Sequence, residues 1–453
     1  MNLGQFREHL KSFARDLYNS FNGGQVRLIS HLDADGLSAA GILISLLKKL
    51  NVPFHLSIVK YLSESLIKRL QQEPYKVYLF SDLGSGGISL LSELASSGKS
   101  IFVVDHHKPS EIHSDGVRLL NPFLSGFDGD REVSGAGVSF LLYYEMLEDP
   151  SMAPMAITGA LGDLQENDGF HGLNTEILEL AIEEGLVEVR PDLKLFGGPD
   201  YPLVASLERT VEPFIDGISN NSAGALALVE SLNIPIKVGD RWTTLSDLTE
   251  EQKRELTNEL VKRVESLEKA KSLVGNIYIY LKEPKGSPLR ELGSFATILN
   301  ACGRMGGGHV GALLASGLRG GVLNRALELQ QAYKRTLAQV LRNAEPRVVG
   351  RVAFIDEGLA EDTMIGTITS ILSKSIREAD VVVGYAHTDD GMIKVSARLT
   401  GSGSGKSIDL DELLRTASRE AGGTGGGHQM AAGAQIPKEG KRAFEATLLS
   451  YLE

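Results

Sequence analysis

Between Gln25 and about Arg190, short apolar runs alternate with segments whose apolar residues recur every three or four positions. VRLISH (26–31), PFHLSIV (53–59), KVYLFSD (76–82) and SIFVVDHH (100–107) are rich in β-branched and aromatic residues and stop at polar or glycine-containing loops, which predicts strands. SAAGILISLLKKL, SESLIKRLQQ and GISLLSELASS have the helical period and predict amphipathic helices between those strands. Strand and helix in alternation predict an α/β fold, a parallel sheet covered by helices.

Further along, the pattern changes. From Phe196 to Trp242 the periodicity loosens, and Thr249 to Ser272 then reads as one charged helix. A capping box of Thr249 and Gln252 opens it, and Leu256, Leu260, Val264 and Leu267 form its apolar stripe. A second long helix over about Leu323 to Asn343 ends before Pro346. The last part predicts a small mixed sheet with strands VVGRVAFI, DVVVGYAH and MIKVSARL, together with two glycine-rich stretches read as loops, GSGSG (401–405) and GGTGGGH (422–428). The expected division is a parallel-sheet domain over 1–205, an inserted helical domain over 206–285, a return to the first domain over 286–320, a linker helix over 321–346 and a smaller α/β domain over 347–453.

Composition adds constraints. A chain of 453 residues, 42% hydrophobic and 23% charged, is globular and long enough for two or three domains. Its one cysteine, Cys302, cannot form an internal disulfide or a thiolate metal cage, which suggests a reducing, cytoplasmic setting. No apolar run approaches the roughly 20 residues needed to span a bilayer, so no membrane association is expected. The net charge of -12 argues against a generally basic nucleic-acid binder, but carboxylates that serve cations contribute to that excess without repelling phosphate once metallated.

Four polar motifs carry the chemistry: HLDADG, SDLGSGG, VDHHKPS and GDLQEND. They follow predicted strands or a helix end, where open α/β sheets bind ligands, so they should converge on one edge. HLDADG puts His31, Asp33 and Asp35 on alternate positions, which face one side if the extended backbone persists. Taken alone, such a motif is more often a helix cap, here supplied by Asp35, than a metal site. Adjacent histidines after an aspartate at a strand end are less ordinary, and Asp82 and Asp163 add carboxylates in the same topological place. Carboxylate and imidazole donors without thiolates suit Mn2+ first and Mg2+ next.

These motifs resemble the signature of DHH superfamily phosphoesterases, and the archaeal RecJ-like or GINS-associated nucleases in particular. The resemblance implies two divalent cations, one held by His31, Asp33 and Asp82 and the other by Asp35, Asp82, His106 and Asp163, with Asp82 shared. It implies catalytic parts for His107, Asp105 and Arg304, with His107 equally able to serve as a packed histidine that orients ligands. LNACGRMGGGH (299–309) resembles the closing motif of RecJ-type catalytic domains, which places Asn300 and Arg304 on substrate phosphate. KVSARL and GGTGGGH resemble a DHH-associated domain whose Ser396, Arg398, Gly426, Gly427 and His428 would hold nucleic acid. The implied activity is two-metal, single-strand-specific exonuclease action on DNA or RNA in replication or repair, with GINS as a further partner. The alternatives are an oligoribonucleotide or cyclic-dinucleotide phosphodiesterase, and a GINS-associated scaffold with little turnover.

Overall fold

The computed structural model describes residues 3–22, 24–111, 115–166, 169–211, 213–264, 267–388, 390–404 and 408–452. Asn167 and Asp168 of GDLQEND and Gly405 of GSGSG lie outside them. The chain divides into two compact units, Met1–Gln330 and Gln331–Glu453.

The first unit is built on five parallel strands, β1 (Val26–His31), β2 (Phe54–Val59), β3 (Val77–Ser81), β4 (Ser100–Val104) and β5 (Val117–Leu120), in the order β2-β1-β3-β4-β5. Successive residues point to opposite faces, and both faces are buried. Leu28, Leu79 and Phe102 pack on one face with α1 (Leu3–Ser20), α2 (Ala34–Lys49), α5 (Gly135–Leu147) and α6 (Ala153–Gly162). Ile29, Phe80 and Val103 pack on the other with α3 (Glu64–Gln71) and α4 (Ile88–Ser96). The expected α/β class and parallel sheet are therefore present.

After α7 (Gly172–Glu183), the chain leaves along β6 (Val187–Leu193) and returns along β9 (Val274–Tyr280), which pair antiparallel. Between them lie α8 (Leu203–Arg209), α9 (Ser222–Ser231), a hairpin of β7 (Lys237–Val238) and β8 (Arg241–Trp242), α10 (Glu250–Lys262) and α11 (Leu267–Ser272), with their own core of Leu207, Ile215, Val229, Leu256 and Leu260. The Thr249–Gln252 capping box is formed. The single helix expected over Thr249–Ser272 is two, because Arg263 ends α10 and gives its carbonyl to the N–H of Asp216 at 3.0 Å. Val264 accordingly packs beside this core as a loop residue instead of extending a helical stripe.

α12 (Leu292–Arg304) and α13 (Gly308–Ala315) bring the chain back against α2. α14 (Gly321–Asn343) starts in the first unit, where Ala326 and Leu329 join the main core. It ends in the second, where Val340 packs under a sheet.

That sheet has six strands in the order β10-β11-β12-β13-β15-β14, namely β10 (Arg347–Val349), β11 (Val352–Ile355), β12 (Val381–His387), β13 (Ile393–Leu399), β14 (Thr424–His428) and β15 (Ala431–Ile436). α15 (Ile365–Ser375) covers one face, and α16 (Leu410–Glu420) and α17 (Lys441–Leu452) cover the other. Two expectations change here. VVGRVAFI is a hairpin and not one strand: Val349 pairs with Val352, and Gly350 turns the chain at φ 56°. GGTGGGH contributes an edge strand in place of a loop. A Cβ on Gly425 would meet the Leu414 carbonyl and the Ser418 hydroxyl at 2.8 Å, so only glycine lets β14 lie this close to α16.

Candidate metal centre

The carboxyl ends of β1, β3 and β4 bring the motifs together. Ser30 pairs with Ser81 and Ser81 with Val104, so His31, Asp82 and Asp105 stand on the next rung at one sheet edge. The extended backbone of β1 does not run on through HLDADG. It stops at Asp33, which caps α2 by accepting the Gly36 N–H, while Asp35 is already in the first helical turn. The cap is thus Asp33 and not Asp35, and the two carboxylates part company.

Besides Asp82, Asp105, His106 and His107, which also lie close enough together to share an ion, two groups of donors result. His31, Asp33 and Asp82 form one, with His31 Nδ1 2.9 Å from Asp33 Oδ2 and 3.5 Å from Asp82 Oδ2. Asp35, His106 and Asp163 form the other, with His106 Nε2 3.6 Å from an oxygen of each carboxylate and 3.3 Å from Asp82 Oδ1. Asp82 therefore offers one oxygen to each group. Its φ of +54° is uncommon for a residue with a side chain, and such strain concentrates at functional sites.

These donors fit a pair of cations. His31 Nδ1, His106 Nε2 and both oxygens of Asp82 are buried and, among the described residues, have no hydrogen-bond partner. Buried polar atoms are almost always satisfied, so four such atoms gathered at one place have the chemistry of metal ligands. The remaining lone pairs are fixed from behind. The N-terminus of α5 donates two N–H groups to Asp35, from Gly135 at 2.6 Å and from Ala136 at 2.9 Å. His106 Nδ1 faces the carbonyl of Gly129 at 2.7 Å, which leaves Nε2 for the site, and Gln165 donates to the same carbonyl.

The electrostatics agree. Burial, then the charge of Asp82, pushes the pKa of Asp35 up to about 7. Burial, then Asp35, Asp33 and Asp82, raises that of Asp163. Burial opposes the charged forms of His31 and His106, but Asp33 and Asp82 raise the first, and Asp82, Asp35 and Asp163 the second. Burial also opposes the ionised Asp82, which the two histidines nevertheless hold below its ordinary range. Protons take the place of positive charge that the carboxylates require.

His107 is half exposed beside this cluster, with Nδ1 2.8 Å from Asp105 Oδ1. Asp105 is fully buried and occupied: Oδ1 also accepts the His106 N–H and Oδ2 accepts the N–H of Ser85. Asp105 thus positions the loop and the His107 ring. Asn121, equally buried, donates to the His107 carbonyl at 2.8 Å and to the Ser85 hydroxyl at 2.9 Å. The sequence reading passed over Asn121, Gln165 and Gly129; only their place beside the histidines distinguishes them.

Asn300 accepts the Ala34 N–H at 2.9 Å, so it holds the turn between Asp33 and Asp35. Gly303 packs on the same turn, where a Cβ would lie 1.6 Å from the Leu32 carbonyl. Arg304 is half-buried at the end of α12, just before the N-terminus of α13.

In the second unit, Ser396 pairs across β15 with Gly433 and Gly433 with Gly426, while Arg398 pairs with Ala431 and Ala431 with His428. Ser396, Arg398, Gly426 and His428 therefore lie on two rungs of three adjacent strands. Arg398 donates to the Ser396 hydroxyl at 3.2 Å.

Family models match three segments: the DHH family N-terminal domain over 25–162, the DHH-CID domain over 195–274 and the DHHA1 domain over 348–453. An uncharacterized protein of Methanocaldococcus jannaschii is 28% identical over 463 residues, which cover 98% of this chain and 96% of that protein. The single-stranded-DNA-specific exonuclease RecJ of Thermus thermophilus is 29% identical over 175 residues, 37% of this chain and 25% of that protein. The crystal structure of that RecJ with Mn2+ matches with a TM-score of 0.58 at 19% identity, over 98% of this chain and 54% of the other, so this chain spans about half its length. The crystal structure of CDC45 from Entamoeba histolytica matches with a TM-score of 0.61 at 12% identity, over 97% and 99% of the two chains. No helix of the described residues is long and apolar enough to cross a membrane.

Proposed function

Because this chain belongs to the DHH superfamily, with DHH, DHH-CID and DHHA1 domains in a RecJ-like arrangement, we propose that it is a single-strand-specific exonuclease of DNA or RNA that acts in replication or repair. The superfamily assignment makes it a metal-binding phosphoester hydrolase; the exonuclease substrate is the finer reading. The observation that supports its metal-assisted chemistry is Asp82, whose two oxygens each face a different donor group, one through His31 Nδ1 and the other through His106 Nε2.

In this reading His31, Asp33 and Asp82 hold one divalent cation and Asp35, Asp82, His106 and Asp163 the other, with Mn2+ preferred over Mg2+. Bound there, such a pair supplies an activated water and neutralises charge on the phosphate and the leaving oxygen. The chain does the rest. Gly135 and Ala136 N–H groups keep the Asp35 carboxylate aimed, and the Gly129 carbonyl keeps His106 turned. Asp105 holds Nδ1 of His107, so Nε2 is the ring nitrogen presented to a substrate phosphate. Arg304, with its planar fork, and the Ser396, Arg398 and Gly426–His428 cluster bind further phosphates.

The complete donor set is the feature that favours turnover over a purely scaffolding part. Single strands of about 20 nucleotides, labelled at either end and offered as DNA and as RNA with Mn2+, test the proposal. Stepwise shortening supports it; cleavage confined to di- and trinucleotides or cyclic dinucleotides replaces it with the small-substrate reading. Association with a GINS helicase complex is proposed as a separate property of the inserted domain. Co-elution of the full chain with such a complex checks it.

A further inference from the structure

β14 lies at the edge of its sheet with its glycines against α16. Gly427 donates its N–H to Asp411 Oδ1 at 2.7 Å, and the same oxygen receives Arg415 Nε at 2.9 Å. A Cβ on Gly426 would lie 3.0 Å from that oxygen and 3.2 Å from Arg415 Cζ, and the residue has φ +158°. Glycine is thus what allows the carboxylate and the guanidinium to close over the strand. A backbone N–H and a guanidinium converging on one anionic oxygen are the two donor types that bind phosphate. Here a carboxylate of the chain itself takes that place.

We propose that Arg415 is a phosphate ligand of the nucleic-acid-binding region and that Asp411 is an internal competitor, which a strand phosphate displaces to reach Arg415 and the Gly427 N–H. The proposal rests on the reading above that this region holds nucleic acid. The displacement is cheap: the Asp411 and Arg415 side chains are 30% and 63% exposed and four residues apart on one helix. Exposed pairs of this kind contribute little, because water screens both charges. Asp411 and a phosphate cannot accept the same N–H, and two anions at that separation repel.

An ordinary surface ion pair and a competitor make different predictions. For the pair alone, removing either partner leaves strand binding unchanged. For a competitor, the two removals have opposite signs. Fluorescence anisotropy of the full chain with a labelled single strand of about 12 nucleotides, in chelator so that no turnover occurs, reads the difference. Arg415→Ala is expected to weaken binding about tenfold, Arg415→Lys to restore part of it, and Asp411→Asn to tighten it about threefold. Arg419→Ala, one turn further along α16, should have the smaller effect of a distant surface charge. Melting temperatures check that each variant is folded. Asp411→Asn weakening binding alongside Arg415→Ala would make the carboxylate a support for Arg415 and overturn the proposal, as would no effect from either. A wild-type chain that binds neither DNA nor RNA strands overturns the nucleic-acid reading itself, and this proposal with it.

Discussion

Asp82 and His106 meet at 3.3 Å across the seam between two donor groups, and the other oxygen of Asp82 lies 3.5 Å from His31. One carboxylate at φ +54° thus faces both donor groups, and in the proposed reading the loop after β3 is where two cation sites would share a ligand.

Asp82→Asn keeps the side-chain shape and tolerates the left-handed backbone, but it removes the shared charge. Calorimetry should show Mn2+ uptake falling from two ions toward one or none. Hydrolysis should fall at least a hundredfold, the scale of loss known for groups that merely support a metal ligand. Two ions bound with wild-type affinity would contradict the shared role.

The pKa shifts set a direction for pH. Asp35 titrates near 7 in the fold against an ordinary 3.8, so the metal-free fold binds more protons and loses stability as pH rises from about 4 through 7. His31 and His106 are raised above 6.5 and act alike: their contribution is present below that value and lost as pH rises through the folded pKa. Asp82 has the opposite sign, lost only on acidification below its ordinary range. Cation binding needs all of these donors deprotonated. Scanning calorimetry should accordingly show Mn2+ raising the melting temperature by at least roughly 2 °C more at pH 8 than at pH 6. An equal gain at both would mean that no protons are displaced.

Gly159→Ala tests the packing behind the centre. The added methyl would fall 2.2 Å from Asp35 Oδ1 and 2.5 Å from Ala136 Cβ, both buried. Crowding of this kind costs about 1–3 kcal/mol. The variant should melt lower and bind Mn2+ more weakly, because the carboxylate it displaces is a proposed ligand. Lower stability with unaltered affinity would place Asp35 outside the coordination sphere.

Asp105→Asn separates positioning from ligation. Its oxygens are committed to His107, His106 N–H and Ser85 N–H, so Mn2+ affinity should change little. Turnover should fall about 10- to 100-fold as the His107 ring loses its orientation. A matching loss of Mn2+ affinity, measured by calorimetry, would reassign Asp105 as a ligand.

The alternation of apolar strands and amphipathic helices was legible in the chain because burial on both sheet faces leaves a direct pattern in residue type. β1 to β4, the parallel sheet and the gathering of polar motifs at its carboxyl edge followed from that pattern. So did the Thr249–Gln252 box, a local structure whose two partners are three residues apart. What the chain could not disclose were contacts between distant residues. Which aspartate of HLDADG caps the helix was decided by where α2 begins, and Asp35 was turned into its buried site by α5, about a hundred residues away. The break after Arg263 came from Asp216, and the strand conformation of GGTGGGH from its pairing with β15 under α16. Periodicity and spacing record how each segment meets an average interior; hydrogen bonds to one particular atom elsewhere in the chain exist only once the fold has brought that atom within about 3 Å.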